Sequence, residues 1–278
     1  ARALDLEGVS TWIFTGSYEI PVLTLTGSVR SDLVLIDKVV GAGEIALSDH
    51  RSAQPTFEEF ARLAAECRVG GMLGGKAGVL HCHLGDGPRR LDYLFRLVRE
   101  TEIPVGQVVP THINRNRELF AQGLAFARVG GTIDLTAGAV DIPASEPDLS
   151  VVEAVRLCLE AGVPPDRLTV TSDGNGSIPV FDGAGTLVRL SVAGQADFFN
   201  GFRALVRRKV LGLADALKPF AANPAAVYKL PGKGRIAAGM DADLLVLDGG
   251  LDLRDAFGRG RRLVADGRVV VRGTFGAP

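Results

Sequence analysis

The residues in this sequence best suited to chemistry are its histidines and one aspartate. His50, His81, His83 and His112 each lie at or just past the end of a continuous apolar run of strand length, and Asp173 has the same placement. Imidazole and carboxylate groups from separate strand ends form a site for a divalent cation, with zinc the most common occupant. One such histidine alone would favour a packed core residue. The clustering of all four favours a metal site.

Six apolar segments of strand length are predicted to position these residues. They alternate with segments such as 57–67, 91–98, 120–127 and 152–159, where apolar residues recur at helical spacing. The predicted strands are Thr11–Thr15, Glu44–Leu47, Val79–Leu84, Val108–His112, Thr132–Leu135 and Leu168–Ser172. This alternation predicts an α/β fold with a parallel sheet. In a (β/α)8 barrel the active site forms at the carboxyl ends of the strands. Eight units complete a barrel, so two are expected before Ala1.

The pattern changes after about residue 234, where short strands separated by glycines follow the long helices predicted over 197–229. The predicted strands here are Ala242–Asp248, Arg262–Ala265 and Arg268–Arg272. We therefore predict that residues 1–234 form the barrel part, with its strands 3–8, and that residues 235–278 form a small all-β segment.

The composition excludes several classes of partner. A net charge of −1 over 278 residues gives no reason to expect binding to nucleic acid or to an anionic membrane surface. No apolar run approaches the ~18 residues of a membrane span. The cysteines Cys67, Cys82 and Cys158 are odd in number and widely spaced, which is typical of a reducing cytoplasm. A cytoplasmic protein is therefore expected.

Longer strings around the candidate residues resemble those of a known family. The strings are TGSY at 15–18, SDHRS at 48–52, PTHINRN at 110–116, TSDGNGS at 171–177 and GMDADLLVLD at 239–248. They resemble the isoaspartyl dipeptidases, or β-aspartyl peptidases, of the amidohydrolase superfamily. The resemblance implies a TIM-type barrel with a β-sandwich domain to which residues 235–278 belong. It also implies a zinc metallo-dipeptidase that forms homo-oligomers, since the family forms octamers.

The resemblance assigns metal ligands at three positions and departs from the family at two others. It makes His83 and His112 ligands of one of two zinc ions, and Asp173 a ligand of the other and the proton shuttle. The family's H-x-H pair on its first strand would precede this chain, and His81 is expected beside the metal rather than on it. Where the family has a bridging carboxylated lysine, this sequence has Glu44.

Glutamate offers a carboxylate on a shorter arm than a lysine carbamate, so Glu44 is expected to be a metal ligand. The alternatives are a mononuclear or weakened site and, for Glu44 itself, a surface carboxylate.

The resemblance also assigns residues that contact the substrate. It makes Tyr18 the group that polarises the scissile carbonyl, and Arg51 and Arg115 the groups that hold the substrate carboxylates. Ser177 is expected near the C-terminal end of the substrate. Guanidinium groups bind carboxylates in pairs of hydrogen bonds, which suits a dipeptide with two carboxylates. For either arginine alone, a surface ion pair is the alternative.

We therefore expect metal-dependent hydrolysis of β-aspartyl dipeptides by a zinc-activated hydroxide. Two alternatives stay open. The first is an amidohydrolase of cyclic amides, such as a dihydroorotase or hydantoinase, which PTHINRN and Tyr18 disfavour. The second is a barrel remnant that has lost catalysis and serves as a scaffold. Metal content distinguishes the second alternative, because a remnant with few ligands should bind zinc poorly.

Overall fold

Six short parallel strands form the frame of the protein, whose computed structural model describes residues 1–142, 147–181 and 186–273. The strands are β1 (Ile13–Thr15), β2 (Val39–Leu47), β3 (Val79–Leu84), β4 (Val108–Thr111), β5 (Ile133–Thr136) and β6 (Leu168–Thr171). Each overlaps a predicted strand, and a helix lies between each strand and the next. The predicted α/β architecture of successive βα units is confirmed.

Nine helices are described. They are α1 (Arg2–Glu7), α2 (Val29–Leu35), α3 (Phe57–Gly74), α4 (Asp92–Glu100), α5 (Arg117–Arg128), α6 (Val151–Glu160), α7 (Ala196–Arg207), α8 (Leu213–Leu217) and α9 (Asn223–Val227). Helix α6 begins with a capping interaction, since Ser150 Oγ accepts a hydrogen bond from the backbone N–H of Glu153. Among the described residues, no helix has both the length and the apolar character needed to cross a membrane.

Parallel pairing brings the carboxyl ends of the strands to one edge. Strands β1, β2, β3 and β4 are hydrogen-bonded in that order, and β5 pairs with β6. The register sets Ala46 of β2 beside His83 of β3, and His83 beside Thr111 of β4. Side chains at and just beyond these positions therefore share an edge of the sheet, as expected for a site built on parallel strands.

Strand β2 begins at Val39, five residues before its predicted start. Gly41 and Gly43 lie in the added part, and glycine is uncommon in strands. The structure gives the reason for Gly41, because a Cβ there would lie 2.3 Å from the carbonyl oxygen of Val79 on β3. Close packing of two backbones, which sequence periodicity does not reveal, explains the glycine.

A buried aspartate links β4, β5 and β6, although no backbone pairing joins β4 to β5 among the described residues. The Asp134 carboxylate on β5 accepts hydrogen bonds from Thr111 Oγ1 of β4 at 2.7 Å and from Thr169 Oγ1 of β6 at 2.6 Å. These bonds hold together the strands that precede His112 and Asp173.

Two regions were predicted incompletely. An antiparallel hairpin, β7 (Ser177–Phe181) and β8 (Leu187–Val192), lies between β6 and α7. Four apolar side chains of β8 are exposed, so the strand lacks the alternation of a half-buried strand. Helix α2 was also absent from the prediction.

The C-terminal region is an all-β segment, as predicted, and its strands form an antiparallel sheet in the order β12-β11-β10-β9. Its strands are β9 (Leu244–Leu247), β10 (Leu253–Gly258), β11 (Arg261–Ala265) and β12 (Arg268–Val269), of which β10 was not predicted. Helix α1 contacts this sheet, since Arg259 Nη2 donates to the carbonyl oxygen of Asp5 at 2.7 Å. The division into 1–234 and 235–278 stays a prediction.

The titration of Asp134 is expected to make stability depend on pH. Burial, opposed by the hydrogen bonds from Thr169 and Thr111, raises the pKa of Asp134 from 3.8 to about 7. Between these values the folded protein holds a proton that the unfolded chain has lost, so the contribution of Asp134 to the free energy of unfolding falls as pH rises. Asp134→Asn removes the titrating carboxyl group, so this fall in the free energy of unfolding with rising pH is absent in the variant. Relative to wild type, the variant should gain at least about 1 kcal/mol between about pH 4 and about pH 7.

Urea unfolding of both proteins at about pH 4.5 and about pH 8 measures this difference. An equal stability difference between variant and wild type at the two pH values would contradict the assignment. Asp166→Asn, at an exposed carboxylate paired with Lys218, serves as the control.

Candidate metal centre and active site

Three side chains converge at the carboxyl ends of β2, β3 and β4. Atoms of Glu44, His83 and His112 that can bind a metal all lie within 4.8 Å of one another. The Oε2 atom of Glu44 is 3.1 Å from His83 Nδ1 and 3.8 Å from His112 Nε2. The structure thus brings together three of the four predicted metal ligands. One carboxylate and two imidazoles are a donor set that suits a divalent metal.

The hydrogen bonding of His112 fits the role of a metal ligand. Its Nδ1 lies 2.6 Å from Thr136 Oγ1 on β5, whereas its Nε2 is buried with no hydrogen-bond partner among the described residues. When Nδ1 carries the proton, the lone pair of Nε2 is directed towards Glu44 and is available to a metal. His112 also takes a left-handed backbone conformation, with φ 62°, which is uncommon for a non-glycine residue and concentrates at functional sites.

His83 is held from its opposite side by Asp49. His83 Nε2 lies 2.9 Å from Asp49 Oδ2, and His83 Nδ1 faces Glu44. As a metal ligand through Nδ1, His83 carries its proton on Nε2 and donates it to Asp49. This carboxylate–histidine arrangement is common around bound metals. No role for Asp49 was predicted from the sequence, because its partner His83 is distant in sequence.

The electrostatics of Glu44 and His112 favour their metal-binding forms. Burial tends to raise the pKa of Glu44, but the nearby imidazoles of His112 and His83 outweigh it and lower that pKa well below its usual range. Burial lowers the pKa of His112. An ionised carboxylate and a neutral imidazole are the states that bind a cation without first releasing a proton.

His81 lies beside the metal group. Its Nε2 is 3.8 Å from Glu44 Oε1, and its Nδ1 is 3.0 Å from the hydroxyl of Tyr228, which follows α9. The ring of Phe14 stacks on it with centroids 5.0 Å apart. Burial lowers the pKa of His81 to about 4, so it is neutral at pH 7. Tyr228 had no signal in the sequence, because it reaches His81 from a distant helix.

A cavity of about 610 Å³ opens above the metal group. Its walls include the predicted catalytic and substrate-binding residues: Tyr18, Arg51, Arg115, Asp173 and Ser177. They also include His83, His112, Asp49 and the largely exposed His50. The structure therefore places every predicted site residue in or directly below one cavity, although these residues come from the ends of five separate parallel strands.

Asp173 lines the cavity but lies outside the three-residue metal group found among the described residues. It follows β6 with φ 49°, and its carboxylate folds back against Gly176, where an added Cβ would lie 2.6 Å from Asp173 Oδ1. The role of Asp173 as a ligand and proton shuttle stays a prediction.

The two arginines differ in how they are held. Arg51 donates to Asp49 Oδ1 from Nε at 3.0 Å and to Asp49 Oδ2 from Nη2 at 2.8 Å, which fixes the plane of its guanidinium. Arg115 follows His112 by three residues, and its Nε is buried with no hydrogen-bond partner among the described residues. An unpartnered guanidinium N–H in a cavity wall suits an anionic ligand.

Tyr18 lies over the metal group. Its hydroxyl is 3.2 Å from His83 Nδ1, and the guanidinium carbon of Arg51 is 5.3 Å from the centre of its ring. Its loop is anchored by the buried Asp32, whose carboxylate accepts hydrogen bonds from the N–H groups of Leu25 and Thr26. Burial raises the pKa of Tyr18. The hydroxyl therefore keeps its proton and can donate it to an oxygen in the cavity.

Comparisons with known proteins agree with this architecture. Residues 122–271, more than half of the chain, match the model of the amidohydrolase family. A solved β-aspartyl dipeptidase from Fervidobacterium islandicum AW-1, in complex with a β-Asp-Leu dipeptide, is 46% identical with a TM-score of 0.89, and the match covers 97% of this chain and 70% of that one. A second structure of the enzyme from that organism is 44% identical with a TM-score of 0.84, covering 97% and 68%.

A D-hydantoinase is 14% identical with a TM-score of 0.56, covering 95% of this chain and 73% of that one. At that identity the similarity concerns the fold alone.

The βα architecture, the His and Glu group and these matches give one result: the chain belongs to the amidohydrolase family of metal-dependent hydrolases. Within that family it is similar to the β-aspartyl dipeptidases over nearly its whole length. The family resemblance stated from the sequence strings is confirmed.

Glu44→Gln tests the metal group directly. The amide keeps the shape of the side chain but loses the negative charge that offsets the cation, so we expect zinc affinity to fall at least about tenfold. Zinc retained per chain after dialysis against graded chelator measures this. Glu102→Gln, at an exposed loop carboxylate, is the matched control. A Glu44→Gln protein with wild-type zinc retention would show that Glu44 is a neighbour of the site and not a ligand.

Proposed function

We propose that this protein hydrolyses β-aspartyl dipeptides in a metal-dependent reaction. The observation that carries the proposal is the cavity in which Arg51, Arg115 and Tyr18 surround the group of Glu44, His83 and His112. A β-aspartyl dipeptide carries two carboxylates, and guanidinium groups are the side chains best matched to them. The similarity to dipeptidases of this specificity supports the same substrate class.

Each residue of the cavity has a separate role in the proposed hydrolysis. Arg51 and Arg115 bind the substrate carboxylates and set the scissile amide above the metal group. Tyr18 donates a hydrogen bond to the carbonyl oxygen, where negative charge develops. Asp173 accepts the proton of the attacking water and passes it to the leaving amine. Ser177, at the cavity wall, contacts the C-terminal part of the substrate.

Glu44, His83 and His112 are the residues that would hold the metal. His112 Nε2 has no hydrogen-bond partner among the described residues and Glu44 is ionised, so both can bind a cation. The bound metal supplies a Lewis acid and a water of lowered pKa. We propose zinc, with two ions in the complete site and Asp173 as a ligand of the second. Glu44 takes the place of a carboxylated lysine.

We further propose a homo-oligomeric enzyme of the cytoplasm. Its free cysteines Cys67, Cys82 and Cys158 are all buried, which suits a reducing compartment. A soluble dipeptide is the expected partner.

Two other functions are less well supported. A cyclic-amide hydrolase shares the fold at 14% identity but gives no reason for two arginines in the cavity. A scaffold without catalysis gives no reason for a buried, unpartnered His112 Nε2 facing a carboxylate. The choice of substrate distinguishes the cyclic-amide hydrolase from the proposed function, and metal content distinguishes the scaffold from it.

A substrate panel tests the proposed function. The zinc-loaded protein should hydrolyse β-Asp-Leu, and leave α-Asp-Leu, dihydroorotate and hydantoin unchanged. Release of leucine is the readout for the two dipeptides, and ring opening is the readout for the two cyclic amides. Turnover of a cyclic amide with none of β-Asp-Leu would replace the proposal with the first alternative.

Arg115→Met tests substrate anchoring. A charge-assisted hydrogen bond to a carboxylate is lost, worth about 2 kcal/mol, or roughly thirtyfold in kcat/KM for β-Asp-Leu. We expect most of this loss in KM and none in zinc content. Arg99→Met, at an exposed helix position, is the control. Undiminished kcat/KM in Arg115→Met would remove Arg115 from the site.

A further inference from the structure

Asp49 is a buried carboxylate that serves two different parts of the site. Its Oδ1 accepts hydrogen bonds from the backbone N–H of Arg51 at 2.7 Å and from Arg51 Nε at 3.0 Å. Its Oδ2 accepts one from Arg51 Nη2 at 2.8 Å and lies 2.9 Å from His83 Nε2. Only 3% of the Asp49 side chain is exposed. These four contacts come from two residues, Arg51 and His83.

The contacts with Arg51 decide which edge of its guanidinium is free. Asp49 occupies the edge formed by Nε and Nη2, and Nη2 also lies 3.0 Å from His83 Nε2. Nη1 is therefore left for another ligand. The ring of Tyr18 lies beside the guanidinium and restricts its rotation further. Arg51 is thereby held in place before any substrate carboxylate arrives, which lowers the entropy lost on binding.

The contact with His83 decides which imidazole nitrogen can bind a metal. A proton on Nε2 is donated to Asp49 and leaves the lone pair of Nδ1 directed at Glu44 Oε2, 3.1 Å away. The same contact fixes the plane of the ring. A histidine without such a partner loses both the preferred tautomer and the orientation.

We infer that Asp49 is a positioning residue that couples the two halves of this site, the metal ligand His83 and the substrate-binding Arg51. The inference rests on the proposed function for its substrate half. Its metal half rests on the contacts of His83 alone. One buried carboxylate thus sets both the geometry of the metal group and the direction of the guanidinium.

Asp49→Asn tests both halves. The amide has one acceptor oxygen and a donor NH2 group, so it cannot keep all four contacts, and in either orientation its NH2 group faces N–H donors. We expect the protein to lose Zn²⁺ at a chelator concentration at least about tenfold lower than wild type does, as for other partners of metal ligands. We expect KM for β-Asp-Leu to rise at least about tenfold.

The matched control is Asp255→Asn. Asp255 lies on β10, far from the cavity in sequence, and its Oδ1 likewise accepts from Nε and Nη2 of one arginine, Arg262, at 3.0 and 2.5 Å. The same chemical change at this arginine contact should leave zinc retention and KM at wild-type values. If Asp255→Asn reproduced the effects of Asp49→Asn, loss of any such arginine contact would explain them and the inference would fail.

Combination with Arg51→Met separates a positioning role from general destabilisation. In the Arg51→Met background, Asp49→Asn should change KM less than about twofold, because the residue through which it acts is gone. It should still lower zinc retention, because His83 remains. Equal effects on KM in both backgrounds would overturn the inference.

Zinc retention is measured without substrate, so it tests the role of Asp49 even if β-Asp-Leu proves not to be the substrate. If Asp49→Asn does not fold, Asp49→Glu decides the question. Its carboxylate is displaced by one methylene and cannot keep both contacts at their present lengths. Wild-type zinc retention and wild-type KM in Asp49→Glu would overturn the inference.

Discussion

The interaction on which the site depends is the meeting of one carboxylate with two imidazoles at the ends of three adjacent parallel strands. Glu44, His83 and His112 are brought within reach because β2, β3 and β4 are paired in register. Three such groups in a buried place are costly for a protein unless their charges are balanced. The ionised carboxylate of Glu44 places a negative charge among these groups, and a bound cation would balance it.

The surroundings of this group are arranged to keep it in one state. Thr136 Oγ1 lies at hydrogen-bond distance from His112 Nδ1, and Asp49 Oδ2 lies at hydrogen-bond distance from His83 Nε2. His81 lies against Glu44 from the other side. Each contact favours one tautomer or one orientation of a side chain that could otherwise adopt several. The cost of burying the two imidazoles is offset by hydrogen bonds with Thr136 on β5 and with Asp49 just beyond β2.

The residues proposed to bind the substrate lie on loops just beyond the strands that carry the metal group. Tyr18 and Arg51 are fixed by a buried aspartate each, Asp32 through the loop and Asp49 directly. In a βα barrel, substrate-binding side chains are expected on loops and metal-binding side chains at the strand ends. Loops can then change substrate specificity without disturbing the metal site.

The sequence by itself determined the six parallel strands and most helices, because buried parallel strands leave continuous apolar runs. It also determined the residue types of the site, because the strings around Tyr18, His112 and Asp173 are specific. It also determined that Glu44 stands where a lysine is usual. Tertiary structure alone decided the early start of β2, the β7–β8 hairpin and the parts played by Asp49 and Tyr228. The physical reason is that hydrogen bonds between distant segments, such as Asp49 with His83, depend on how strands are placed side by side, and no local periodicity in the sequence records that placement.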